Sequence, residues 1–67
     1  MSIARTTEIS ASSKVGFKDA IEKGIERFAE TIDKVEGAWV KEQKVKVKDG
    51  KVSEYRVTMK VSFILKD

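Results

Sequence analysis

A two-residue turn, Asp49-Gly50, between two long runs of alternating residues constrains the fold of this chain more than any other feature. Asp-Gly favours a tight β-hairpin because both residues tolerate positive φ angles. The sequence therefore predicts one long antiparallel ribbon, with strands over 37–48 and 52–65. A ribbon of this length tied to one helix cannot bury much surface alone, which indicates that it assembles with further subunits.

The size and composition of the chain point to the same conclusion. Its 67 residues form a single domain, 1–67, and a domain of this size buries only about 60% of the surface of its unfolded chain. Cysteine and histidine are both absent, which excludes disulfides, thiolate metal sites and the usual acid–base catalyst at neutral pH. Catalytic and phosphate-binding motifs are also missing. We therefore expect an oligomer that is not an enzyme.

The first half of the chain predicts a strand followed by one amphipathic helix. Residues 2–10 alternate loosely and contain β-favouring Thr and Ile, which indicates a strand. Ser12 or Ser13 is a suitable N-cap for a helix over 14–34. The apolar stripe of that helix is Phe17, Ala20, Ile21, Gly24, Ile25, Phe28, Ala29, Ile32 and Val35. The predicted order is strand, helix, strand, strand.

The pairing within the ribbon predicts which side chains face the helix. Side chains alternate along a strand, so the odd-numbered apolar residues of the last strand are assigned to the core. With a two-residue turn, Gln43 opposes Arg56 and Trp39 opposes Lys60. Trp39 then lies on the face away from the helix, where it either anchors a subunit interface or stacks a flat ligand. Arg56 on the same face either binds carbonyls or phosphates or pairs with a neighbouring carboxylate.

The charged residues give two weaker hypotheses. A basic face around the hairpin would comprise Lys41, Lys44, Lys46, Lys48 and Lys51. Protection of an exposed strand edge explains these lysines more simply than nucleic-acid binding. Glu22, Glu26 and Glu30 on the helix suggest Ca²⁺, although a solvated helix face is the simpler interpretation. No apolar run is long enough to cross a membrane and no signal peptide is evident, so we expect a soluble, cytoplasmic protein.

Taken together, these elements resemble the dodecin family of small proteins that assemble into hollow homododecamers. The resemblance covers nearly the whole chain, and its most specific part is the segment from Tyr55 to Phe63; Glu42-Gln43 looks like a subset of the family. It implies an α+β fold of β-α-β-β order, with a three-stranded antiparallel sheet wrapped around one helix. It also implies that the protein's partner is itself, together with a small aromatic ligand. The charge and hydropathy patterns described above predict no nucleic-acid or membrane partner.

The resemblance identifies Gly37, Trp39 and Arg56 as candidate ligand-binding positions. Typical dodecins stack paired flavin rings between tryptophans and bind the flavin edge through a glutamine. Without gaps, the tryptophan position falls on Gly37 and the glutamine position on Arg56. Trp39 is two residues further along, a displacement of about 6.6 Å. We therefore expect flavin binding to be weakened or lost.

The function implied by the resemblance is that of an oligomeric shell for binding or storing a small, flavin-type ligand such as FMN, riboflavin or FAD. The alternative is a calcium-binding or purely structural dodecamer. A dodecin-like branch with arginine at the position of Arg56 exists, and some of its members have been linked to calcium. The sequence assigns no metal ligands.

Overall fold

A computed structural model describes residues 3–65 and contains the four elements in the predicted order. The elements are β1 (Ile3–Ser13), α1 (Phe17–Ala29), β2 (Val35–Lys48) and β3 (Lys51–Leu65). β3 is the central strand and pairs antiparallel with both neighbours, so the sheet order is β1-β3-β2. The predicted α+β architecture is therefore confirmed. The predicted strand start at residue 2 lies outside the described residues.

The turn of the hairpin has the conformation that its sequence requires. Asp49 has a φ of 52° and Gly50 a φ of 75°, so both residues occupy the left-handed region. Lys48 pairs directly with Lys51, which leaves only these two residues in the loop. A tight turn of this hand matches the twist of the flanking strands, because its two central residues both have positive φ.

The core lies between α1 and the face of β1 and β3. The fully buried side chains are Ala20, Val57, Met59 and Val61. Phe17 meets Tyr55 edge-on at 5.1 Å between ring centroids, and Phe28 meets Phe63 at 6.0 Å. The helix thus covers β3 from Tyr55 to Phe63. This arrangement confirms the assignment of the odd-numbered residues of β3 to the core.

The hairpin extends beyond the part of the sheet that the helix covers. The described residues measure 52 × 19 × 13 Å, which is an elongated shape for so short a chain. Several apolar side chains of the ribbon are exposed: Val40, Val45, Val47 and Val52. Exposed apolar surface of this kind typically marks an interaction site. The exposed apolar surface thus agrees with the expectation from size and composition that the chain assembles with further subunits.

The start of the helix differs from the prediction because β1 is longer than predicted. β1 continues to Ser13, so Ser12 and Ser13 pair with β3 and do not cap the helix. The N-cap residue is Gly16, and no side chain caps the helix there. Ser13 Oγ instead accepts hydrogen bonds from the backbone N–H groups of Val15 (2.9 Å) and Gly16 (3.4 Å) and donates one to Asp19 Oδ2 (2.7 Å). The predicted N-cap was wrong, but Ser13 orders the loop before the helix.

The helix is also shorter than predicted, ending at Ala29 and not at residue 34. The backbone N–H of Thr31 donates to the carbonyl of Phe28 (3.2 Å), which tightens the last turn. Lys34 then takes a φ of 58° and redirects the chain, so that Val35 begins β2. The apolar periodicity continues past the helix because Val35 packs against the same core from a strand.

The register of the hairpin was predicted correctly at Trp39 and incorrectly in its middle. Trp39 opposes Lys60 as expected, whereas Gln43 opposes Val57 and not Arg56. One bulge near the turn shifts the pairing by one residue, and a second bulge just after Trp39 shifts it back. Gln43 therefore lies on the helix side of the sheet, contrary to the prediction, although the helix does not reach it.

Candidate functional site

All three candidate positions lie on the face of the sheet that is turned away from α1, here called the outer face. Val57, Met59 and Val61 point into the core, so the even-numbered residues between them point outward. Trp39 opposes Lys60 and Gly37 opposes Ser62, which places both on this face. The prediction that Trp39 faces away from the helix is therefore confirmed.

Within one subunit, Trp39 and Arg56 do not form a common site. Lys60, the partner of Trp39, is four residues from Arg56 along β3, which corresponds to about 13 Å. Each of the two residues lines its own shallow cavity. A ligand that touches both would have to be large or be held between subunits.

Trp39 stands at the edge of a cavity of about 240 Å³ that is otherwise polar. The lining residues are Thr6, Thr7, Glu8, Trp39 and Lys60. The indole is 54% exposed, and the ammonium of Lys60 lies over its ring, 6.0 Å from the centroid. At the rim, the ammonium of Lys41 is 3.1 Å from Glu8 Oε1. The arrangement combines an accessible aromatic surface with hydroxyl, carboxylate and ammonium groups.

Gly37 is next to Trp39 on the outer face and offers open space. A Cβ built on Gly37 would approach only Ser62 Oγ, at 4.0 Å, an ordinary van der Waals separation. The same hydroxyl donates a hydrogen bond to the Gly37 carbonyl (3.2 Å). The local backbone therefore has room for a side chain, and a stacking ring is missing there because the residue is glycine.

Arg56 is paired within its own strand. Its Nε atom donates to Glu54 Oε2 at 2.6 Å, and this hydrogen bond holds the pKa of the Glu54 carboxyl below its usual value. Lys44 faces Arg56 across the strand pair, and Lys46 faces Glu54. The guanidinium thus lies in a basic environment and only donates hydrogen bonds, whereas a glutamine amide both donates and accepts.

The carboxylates considered for calcium lie apart from these cavities. Glu22, Glu26 and Glu30 are exposed on or at the end of α1. Within residues 3–65, no group of three or more His, Cys, Asp or Glu side chains is close enough to hold a metal ion. Calcium ligands contributed by one subunit alone are thus not found in this part of the chain. No helix between residues 3 and 65 is long and apolar enough to span a membrane.

The site contains residues that sequence reasoning did not identify. Thr6, Thr7 and Glu8 reach the Trp39 cavity from β1, and Lys41 reaches Glu8 although the two are far apart in sequence. Only the strand order β1-β3-β2 explains this proximity, because it places β1 and β2 on either side of β3. No local sequence pattern reports that order.

Comparison with known proteins assigns the chain to a family. The Dodecin family model matches residues 3–66. This chain belongs to the dodecin family. The match confirms the predicted family and subunit architecture. Dodecins as a family assemble as dodecamers and bind flavins.

Solved dodecin structures agree closely with this subunit. The dodecin of Streptomyces davaonensis is 33% identical, with a TM-score of 0.93 over 98% of this chain and 97% of that chain. The dodecin of Streptomyces coelicolor is 26% identical, with a TM-score of 0.93 over 98% and 94% of the two chains. A search of curated proteins gives no significant match.

A calcium-binding dodecin also matches the subunit. The calcium dodecin of Mycobacterium tuberculosis, described as having a novel calcium-binding site, is 26% identical. Its TM-score is 0.82 over 96% of this chain and 91% of that chain. The family fold thus occurs with more than one kind of ligand.

Proposed function

We propose that this dodecin is a non-enzymatic homododecameric shell for small ligands in which the family's flavin position is weakened. The observation that supports this proposal most strongly is the identity of the two residues at the positions that the family resemblance assigns to flavin contacts. Gly37 presents no ring there, and the guanidinium of Arg56 is engaged by Glu54. The exposed valines of the hairpin support assembly, because they would be covered by neighbouring subunits.

The glycine removes the stacking contribution. Stacking a flat ring on an aromatic side chain is worth about 1–3 kcal/mol in nucleic-acid complexes, which corresponds to about 5- to 150-fold in affinity. Trp39 does not replace it at the same place, because it is two residues further along β2 and faces Lys60. A flavin at the family position would therefore lack its aromatic partner.

The arginine changes the hydrogen-bonding pattern. A flavin edge presents carbonyl acceptors and an N–H donor, and an amide can satisfy both kinds of group. Arg56 can serve only the acceptors, and its orientation is set in part by the hydrogen bond from its Nε to Glu54. Arg56 should therefore recognise the flavin edge less specifically than a glutamine would, although its positive charge can attract the phosphate of FMN or FAD.

Titration with riboflavin, FMN and FAD tests the proposal in the wild type and in two restoring variants. Gly37→Trp supplies the missing ring, and Arg56→Gln supplies the amide. We expect weak binding by the wild type, a gain of at least about fivefold for Gly37→Trp, a gain for Arg56→Gln and a larger gain for the double variant. Quenching of flavin fluorescence gives the dissociation constants.

A matched control separates a restored site from an added aromatic surface. Glu42→Trp places an indole on the same strand and the same face, opposite Thr58, and should not improve flavin binding. Submicromolar binding of flavin by the wild type would contradict the proposal. Restoring variants that bind no better than the Glu42→Trp control would contradict it as well.

Calcium binding is the second candidate, favoured by the match to the calcium dodecin. Since residues 3–65 of one subunit contain no cluster of metal ligands, the carboxylates would have to be collected from several subunits at a symmetry axis. Calorimetric titration with millimolar CaCl₂ distinguishes the candidates. Heat of binding that is lost in the dissociated protein would support calcium, whereas no uptake by the intact assembly would remove it.

A further inference from the structure

The surroundings of Trp39 are those of a ligand pocket more than those of a subunit interface. Protein interfaces are depleted of charged residues at their core. Trp39 instead forms a row across the sheet with Lys60 on β3 and Glu8 on β1, both of them charged. The exposed apolar residues Val40 and Val45 lie on the opposite face of β2, because they pair with Met59 and Tyr55. That face, and not the one carrying Trp39, offers apolar surface to another subunit.

The next row across the sheet makes a shallow floor beside the indole. It consists of Gly37, Ser62 and Thr6, all of which are small. The indole therefore stands as a wall above a depression, and its 54% exposure leaves aromatic surface accessible. At about 240 Å³, the cavity is smaller than the pockets of about 300–1,000 Å³ that take drug-sized ligands. It suits one or two fused rings.

The charges around this cavity favour an anion. Two ammonium groups lie at or near the cavity, Lys60 over the indole and Lys41 beside Glu8, and Glu8 supplies one carboxylate. Glu8 is paired with Lys41 at 3.1 Å, and among residues 3–65 no carboxylate forms a salt bridge with the Lys60 ammonium. Its ammonium is near the ring, where it can meet an acidic group on a molecule stacked against the indole. The hydroxyl of Thr6, which lies on the same face of the sheet, adds further hydrogen-bonding capacity.

We propose that Trp39 and Lys60 form a binding site for a small planar aromatic anion, such as an aromatic carboxylate. Trp39 supplies the stacking surface, Lys60 the charge-assisted hydrogen bond, and the Gly37 row the space for the ring. This site is centred on Trp39 and Lys60, beside the family's flavin position, and shares with that position only the open space over Gly37. It does not depend on the proposed loss of flavin binding.

The experiment uses three matched probes and a built-in reporter. Trp39 is the only tryptophan of the chain, so its indole ¹H–¹⁵N resonance reports this site in the full-length assembly. The probes are 2-naphthoate, 2-naphthylmethylammonium and cyclohexanecarboxylate. Comparing them separates the contribution of the aromatic ring to binding from that of the negative charge. We expect 2-naphthoate to shift the resonance and to bind at least tenfold more tightly than either other probe.

Two variants locate the contacts by calorimetry with 2-naphthoate. Lys60→Gln should weaken binding at least tenfold, because it removes the ammonium and keeps a polar chain of similar length. Lys44→Gln removes a charge from the same face outside the cavity and should leave the affinity unchanged within twofold. Trp39→Ala should abolish binding, and native mass spectrometry of this variant checks that it still assembles.

Three results would overturn this assignment. The first is an indole resonance that no probe shifts at millimolar concentration, as expected if a neighbouring subunit covers Trp39. The second is equal binding of the anionic and cationic naphthalenes. The third is an equal loss in the Lys60→Gln and Lys44→Gln variants, which would indicate general attraction to a basic surface. None of these results bears on whether Gly37→Trp restores flavin binding.

Discussion

At Gly24 the helix lies close against β1 and β3, and replacing this residue with alanine should destabilise the protein. A Cβ at this position would lie 2.9 Å from the Cβ of Ala11 and 3.1 Å from Cε of Met59. The first distance is shorter than folded proteins tolerate, and Ala11 Cβ is fixed to the backbone of β1. Met59 is fully buried, so its methyl group has little room to move.

The magnitude follows from two opposing terms. Replacing a glycine inside a helix by alanine stabilises the helix by about 1 kcal/mol. Overpacking a filled core costs about 1–3 kcal/mol. The net effect of Gly24→Ala should therefore be a loss of up to about 2 kcal/mol in the free energy of unfolding, against the direction that helix propensity alone predicts.

A double-mutant cycle with Ala11→Gly tests the cause. Ala11→Gly alone should cost about 1–2 kcal/mol, from the lost methyl burial and the added freedom of glycine. In the double variant the Gly24→Ala methyl group occupies the vacated space, so a coupling of about 1–2 kcal/mol is expected. Urea unfolding at one fixed protomer concentration gives these values, because dissociation makes stability depend on concentration. Additivity within about 0.5 kcal/mol would refute the steric explanation.

Two local features give further predictions. The hydrogen bond from Ser13, and to a lesser extent the nearby Lys23, lower the pKa of Asp19 from its ordinary value of 3.8. The ionised carboxylate therefore stabilises the folded protein above pH 3.8, and this stability is lost as the pH falls through the lower pKa of the folded state. Ser13→Ala should raise the pKa of Asp19 in an NMR titration and move acid unfolding to higher pH; an unchanged titration would count against the contact. At Gly50, with a φ of 75°, alanine should cost about 1–2 kcal/mol in urea unfolding, and Gly50→Asn should cost less because asparagine tolerates this conformation. Equal losses in the two variants would contradict that reason.

Much of the fold could be predicted because its signals are local. Asp49-Gly50 specifies the turn through two positive φ angles, and alternation specifies which residues of β3 enter the core. The boundaries of the helix were harder to predict. Ser13 was interpreted as a cap although it ends a strand, and Val35 continued the helical spacing although it begins the next strand. The Ser13 hydroxyl does bind backbone N–H groups, but in the loop before the helix, and the core position of Val35 was mistaken for membership of the helix.

The candidate site was predictable only in part because it depends on long-range pairing. The opposition of Trp39 and Lys60 was predicted correctly only because two bulges cancel, while the pairing of Gln43 between them was wrong. Nothing in the sequence near Trp39 indicates that Glu8 lies in the same row, since this follows from the strand order. Contacts between subunits are even harder to predict, because no local sequence pattern indicates them.

Native mass spectrometry of the gently purified protein tests the central claim most directly, because it reports the number of subunits and any retained ligand together. We expect twelve chains without bound flavin, since Gly37 provides no stacking ring and Arg56 is paired with Glu54. Twelve chains carrying stoichiometric flavin would contradict the weakened site. A monomer or dimer would contradict the assembly itself.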